Sequence, residues 1–264
     1  VRRINVMTES GPPPWGTDAL SRYFSDAQHN ERVGALNYPE VYDIVRRVHE
    51  AFELGEQLAE KGASKHSILP RILLVRAHSA FLAAARLALS GQATESQIVL
   101  RAGVEQAWYA VHIATDPEPF SRAEIWLKRH HSEDDTARSK QEFSVSNVRS
   151  SHEAVDAEGA KTMQWLYSTL IDFGAHPNQR GVLGAIKREE DDEKIDYKVG
   201  ILQPDELRMM AALRLAVGVG VGALRIFQSL FPERFEIMGL SQEIQRIGAL
   251  SDYTFAKYRV AEPA

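Results

Sequence analysis

An all-α bundle is the fold class this sequence predicts, and three observations predict it. Apolar residues recur at three- and four-residue intervals over long stretches, as in Val41, Ile44, Val45, Val48 and Phe52, the period of a helix with one buried face. Proline or glycine closes those stretches, at Lys61-Gly62, Ser90-Gly91, Asp116-Pro117 and Phe231-Pro232, where a helix commonly stops. Period-two alternation is confined to one short region. The expectation is a multi-helix bundle of about seven or eight helices, with a small β-hairpin insertion near residues 180–200.

Taken in order, residues 1–38 are rich in proline and glycine around Gly11-Pro-Pro-Pro-Trp-Gly16 and read as an irregular N-terminal arm. One helical domain, 39–264, follows. Its first helix starts at Tyr38-Pro39. A second opens near Pro70 and carries an Ala-rich stretch from Phe81 to Leu89, which suits close packing against a neighbour. A third runs from Glu95 to Thr115, and a shorter one from about Phe120 to His130.

The polar stretch His131 to Asp156 reads as an exposed helix or connection. Glu158 to Gly174 is helical and closed by Pro177. Val182 to Ile186 and Ile195 to Val199 flank the charged run Lys187 to Lys194, which suits a hairpin with a solvated tip. Pro204-Asp205-Glu206 opens a long apolar helix, and one or two helices complete the chain.

Composition narrows the function classes. A net charge of −5 gives no global attraction to nucleic acid or an anionic membrane. The chain has no cysteine, so disulfides, thiolate catalysis and cysteine-ligated zinc are excluded. A cytoplasmic setting is the expectation. No segment approaches the roughly 20 apolar residues of a membrane span, so no membrane partner is expected.

Two apolar helices carry the best functional pointer. From Thr162 to Pro177 the ionisable groups besides Tyr167 are Asp172 and His176, four residues apart on one face. From Ile98 to Thr115 they are Arg101, Glu105 and His112, besides Tyr109. A charge on an otherwise apolar helix costs several kcal/mol unless paired. Trp108 and His112 extend the Arg101–Glu105 face, while Trp165 and Thr169 share a broad face with Asp172 and His176. If the faces meet, Arg101, Glu105, Asp172 and His176 form a candidate acid–base centre, with Trp108, His112, Trp165 and Thr169 as ligand contacts. Arg101 suits phosphate, and His176 suits proton transfer with Asp172 orienting its ring.

A metal reading of Glu105, His112, Asp172 and His176 is weaker, because the chain has no Glu-x-x-His spacing. No metal or cofactor is expected. His130-His131 with Asp134-Asp135 reads as solvated surface. Gly218, Gly220 and Gly222 fall inside an apolar helical stretch, so they read as close packing rather than a nucleotide loop.

Arg101-Ala-Gly-Val-Glu105, followed later by Tyr167-Ser-Thr-Leu170 and Gly174-Ala-His176-Pro177, resembles the uncharacterised bacterial helical proteins related to HEPN domains. That resemblance covers about residues 40–230 and implies an all-α bundle, often a homodimer. It also implies a metal-independent RNA-cleaving or nucleotide-binding effector. In active relatives an arginine and a histidine four to six residues apart serve a composite site. Arg22/His29 and Arg71/His78 each have six intervening residues, a spacing that also arises by chance. The alternative is a non-enzymatic module that binds a partner protein and whose buried polar network is structural.

Overall fold

The computed structural model describes residues 16–60, 68–175, 186–190, 195–203 and 205–258. Eleven α-helices occur among them, which corrects the expected seven or eight. They are α1 (Ala19–Asn37), α2 (Pro39–Glu60), α3 (Ile68–Leu89), α4 (Ala93–Ala114), α5 (Ser121–Leu127), α6 (Glu133–Glu142), α7 (Val145–Val155), α8 (Ala157–Leu170), α9 (Glu206–Leu230), α10 (Pro232–Ile237) and α11 (Leu240–Ala256). A π-helical turn, Ile171–Ala175, continues α8. Two short strands, β1 (Ile186–Glu190) and β2 (Ile195–Val199), pair antiparallel with Ile186 opposite Val199.

The extra helices have local causes. The stretch read as an irregular arm contains α1, because Asp18 accepts a hydrogen bond from the Ser21 amide at 2.9 Å and caps it. Residues 1–15 lie outside the described part. Within the polar 131–156 stretch two helices form. Ser132 caps α6 by accepting from the Asp135 amide at 3.0 Å, and three acidic residues occupy that first turn, where the helix dipole favours them. Asp156 caps α8 through the Gly159 amide at 2.9 Å, and Asp205 caps α9 through the Arg208 amide at 3.1 Å.

Three helices form the centre. α3 and α4 are joined by the short link Ser90–Gly91–Gln92, with Gly91 at φ +92°, and pack through small residues. A Cβ on Gly103 would lie 3.3 Å from the Cβ of Ala80. α9 lies across α2, α3, α4 and α8, and its glycines let those neighbours approach: a Cβ on Gly220 would stand 2.7 Å from Val48 and 3.1 Å from Phe81. The Gly-x-Gly-x-Gly run is therefore helix-packing surface. Trp108, Phe52, Phe81, Phe227 and Phe235 are the largest fully buried side chains of the core.

α3 and α9 are each long and apolar enough, by length and composition alone, to cross a membrane. That corrects the expectation that no segment approaches such a length. Half of the α3 window and 61% of the α9 window are buried against the rest of the chain.

Candidate functional site

The two apolar helices do meet, but through a different set of side chains from the one expected. Arg101 donates to Glu105 at 3.0 Å along α4. Across from them Tyr167 of α8 donates its hydroxyl to the same Glu105 oxygen at 3.1 Å. The Arg101 guanidinium lies 5.5 Å from the Tyr167 ring centroid, a cation–π distance. Burial, then the Glu105 carboxylate, pushes the Tyr167 phenol above its usual range.

Asp172 is not part of this group. It lies exposed on the π-helical turn and makes no ion pair among the described residues. His176 lies outside the described residues. Trp165 is 57% exposed, and Thr169 spends its hydroxyl on the Trp165 carbonyl at 2.9 Å. Both line a groove on the other side of α8, shared with α9 and α11. The spacing gives the reason: Asp172 is seven residues from Trp165, about two helical turns, so it shares the outward face of Trp165 rather than the inward face of Tyr167.

Trp108 and His112 sit deeper. Trp108 is fully buried, 5.0 Å from the Tyr167 ring, and donates its indole N–H to Nδ1 of His152 at 3.2 Å. His152 is itself fully buried. Accepting at Nδ1 places its proton on Nε2, which has no hydrogen-bond partner among the described residues. Burial lowers its pKa to about 4, with Asp156 partly opposing and Arg225 reinforcing the shift.

His112 is 1% exposed. In its neutral form Nε2–H donates to Glu142 at 3.2 Å while Nδ1 accepts from the Ser151 hydroxyl at 2.8 Å. Arg122 ties this knot by donating to Glu142 at 3.1 Å and to the His112 carbonyl at 2.7 Å. Burial, with the nearby Arg122 charge, holds the His112 pKa below its ordinary value. Arg101, Glu105, Trp108 and His112 of α4 are thus each tied to a neighbour in α4, α6, α7 or α8.

One cluster escaped the sequence reading. His78 of α3 stacks on Phe52 of α2 at 4.7 Å and 8°. Its Nδ1–H donates to Glu56 at 2.7 Å, and its Nε2 accepts from Nδ1–H of His49 at 2.9 Å. Glu53 approaches the other side of His49 at 3.7 Å. His49, Glu53 and Glu56 at i, i+4 and i+7 share one face of α2, which is a legible signal. Burial dominates and lowers the His78 pKa despite Glu56.

His130, His131 and Asp134 are exposed, as their polar stretch suggests. No group of three or more histidine, aspartate or glutamate side chains that could hold a metal ion occurs among the described residues.

The Arg101 pair is partly solvated, with side-chain exposures of 29% and 37%. Arg101→Ala is therefore expected to lower stability by only about 1 kcal/mol, the sum of a screened ion pair and a cation–π contact. Chemical denaturation checks it. A loss above about 3 kcal/mol would mean that Glu105 is left desolvated and unpaired.

Comparison of the chain with protein-family models, with curated proteins and with solved structures finds no match.

Proposed function

We propose that the chain is a non-enzymatic helical interaction module that pairs with a second copy of itself through α3. The observation that carries this reading is a second apolar stripe on that helix. Leu73, Leu74, Ala77 and Phe81 bury one face in the core. Ile68, Ile72, Val75 and Leu82 stand on another, exposed by 50%, 52%, 46% and 40%.

These four follow steps of four, three and seven, with exposed Ser79 at the intervening position. That is the heptad repeat by which helices pair along a seam. A helix of 22 residues is about 33 Å long, enough for several such layers. Its flanks carry both signs, Arg71 and Arg76 on α3 and Glu53 on α2. A self-pairing therefore need not set like charges together.

The polar groups support a structural role. Glu105, His112, His152 and His78 are each held by neighbours within the fold, so their chemistry is spent on packing specificity rather than aimed at one open cavity. The resemblance to HEPN-related proteins is compatible with a dimer of either kind, catalytic or not.

Light scattering on the purified protein tests the reading, beside the double variant Ile72→Glu with Val75→Glu. The expected result is a dimer that becomes a folded monomer in the variant, with an unchanged helical circular dichroism spectrum because neither side chain is in the core, and with loss of the concentration dependence that pairing gives the parent's melt. A monomeric parent protein at high micromolar concentration would sink the proposal. So would RNA cleavage that survives EDTA and disappears in His176→Ala, which would return the chain to the ribonuclease reading.

A further inference from the structure

We infer that self-pairing through α3 takes up protons at His49 of α2, so that acidification from about pH 8 to about pH 6 tightens the dimer. The inference rests on the pairing proposed above and names what regulates it.

Four side chains form one line across the α2–α3 contact. Glu56 accepts Nδ1–H of His78 at 2.7 Å, and Nε2 of His78 accepts Nδ1–H of His49 at 2.9 Å. The line ends where Nε2 of His49 meets Glu53 at 3.7 Å. With its one proton given to His78, neutral His49 turns a bare lone pair toward that carboxylate. The reverse assignment would set a bare His78 Nδ1 against Glu56 at 2.7 Å, a closer and worse opposition. The line is therefore one proton short, and the vacancy lies at Nε2 of His49. A proton there makes His49 an imidazolium that donates to His78 and toward Glu53. The Glu53 side chain is 56% exposed, so it can swing inward to complete the bond. Burial keeps His78 itself neutral, and the added charge stays on His49.

Position couples this line to the pairing face. Glu53 and Glu56 line one recess with Ile68, Ile72 and Val75, three of the four stripe residues. Arg71 of α3 lines it too, so two carboxylates face one guanidinium and one negative charge is left over. A second copy seated on the stripe covers that recess, and two-fold symmetry covers its own recess equally. Taking a carboxylate out of water is costly unless a cation accompanies it. The proton on His49 supplies that cation. The paired form therefore holds the proton more tightly than the free form, and by linkage pairing strengthens as pH falls.

Among the described residues, the other elements packed on α2 and α3 bring no competing charge to the line. Arg46, one turn before His49, is tied to Asp43 and Glu50. Arg76, two residues from His78 on α3, points about 200° away from it. Gly220 of α9 lies against Val48 and Phe81, Phe235 of α10 against Gly55, and Gly103 of α4 against Ala77 and Ala80. Glu31 of α1 is taken by Arg86, and Glu243 of α11 by Arg47.

Sedimentation equilibrium at about pH 8 and about pH 6, at constant ionic strength, tests the inference on the parent, His49→Gln and Glu53→Gln. The expected result for the parent is a dimer dissociation constant about tenfold lower at the acid pH. His49→Gln, whose amide N–H can still donate to His78, should keep the parent's constant at the alkaline pH and lose the dependence. Glu53→Gln should pair more tightly than the parent at the alkaline pH and flatten the profile, because its recess has no charge left to offset. A dimer that is equally tight at both pH values, or tighter at the alkaline one, would overturn the inference and leave the pairing intact. So would an undiminished dependence in His49→Gln with a helical circular dichroism spectrum like the parent's. A monomer at both pH values would remove the pairing itself, and this inference with it.

Discussion

Acidification from pH 7 to pH 5 is expected to cost the fold about 2 kcal/mol through His152 alone. Its pKa is about 4 in the fold against an ordinary histidine value of 6.5. The unfolded chain therefore takes up a proton below pH 6.5 that the folded chain refuses until about pH 4. Stability from this group is complete above pH 6.5 and falls steadily as pH drops, reaching a total loss of about 3 kcal/mol near the folded value. The geometry gives the reason independently of burial. Nδ1 accepts the Trp108 indole N–H, so a proton placed there would set two donors head to head.

His78 and His112 also have lowered values, so they add losses of the same sign below pH 6.5. The lowered carboxylates Glu40, Asp43 and Glu124 act mostly below their ordinary values of 4.5, 3.8 and 4.5, so the pH 7 to 5 interval isolates the histidines. Urea midpoints at several pH values measure the slope. In His152→Gln, whose amide oxygen can still accept from Trp108, the slope should fall by about one proton, or about 1.4 kcal/mol per pH unit. Equal slopes in the two proteins would show that His152 is charged in the fold.

The helical class was legible because long apolar stripes with proline and glycine stops leave little else. Helix number was not. The local signals were present, Asp18 before α1 and Ser132 before α6, but both helices lie in polar or proline-flanked sequence where apolar periodicity is thin. Capping chemistry, rather than periodicity, sets their starts.

For the site, the sequence correctly put Arg101 and Glu105 on one helical face and linked that helix to the one carrying Tyr167. It could not show which face of α8 turns inward. Tyr167 does, at 5% exposure, while Trp165 does not, at 57%. Two residues along an α-helix is about 200° of rotation, so a small error in assigning the inner face moves an indole from core to groove. Asp172, seven residues after Trp165, falls on the same outward face and lies exposed. His152 was hidden for another reason: its burial depends on α7 folding against α4, a long-range contact that its polar sequence neighbours conceal.

Trp108→Ala should be the most damaging single substitution among these sites, at about 3–5 kcal/mol. The indole is fully buried, so truncation removes a large apolar surface from the centre of the α4–α8 contact and opens a cavity beside Tyr167. It also leaves His152 with neither ring nitrogen hydrogen-bonded among the described residues, since Nε2 already has no partner there. Against a typical total of about 5–15 kcal/mol, such a loss brings the protein close to unfolding at ordinary temperature. Trp108→Phe separates the two causes. It keeps most of the volume and forfeits the hydrogen bond, so a smaller loss of about 1–3 kcal/mol is expected. Combining Trp108→Phe with His152→Gln in a double-mutant cycle should show coupling, because the two side chains share one bond. If Trp108 served chiefly to contact a ligand, Trp108→Ala would melt like the parent and lose only binding. A midpoint unchanged in Trp108→Ala would therefore contradict the buried position that ties α4 to α7 and α8.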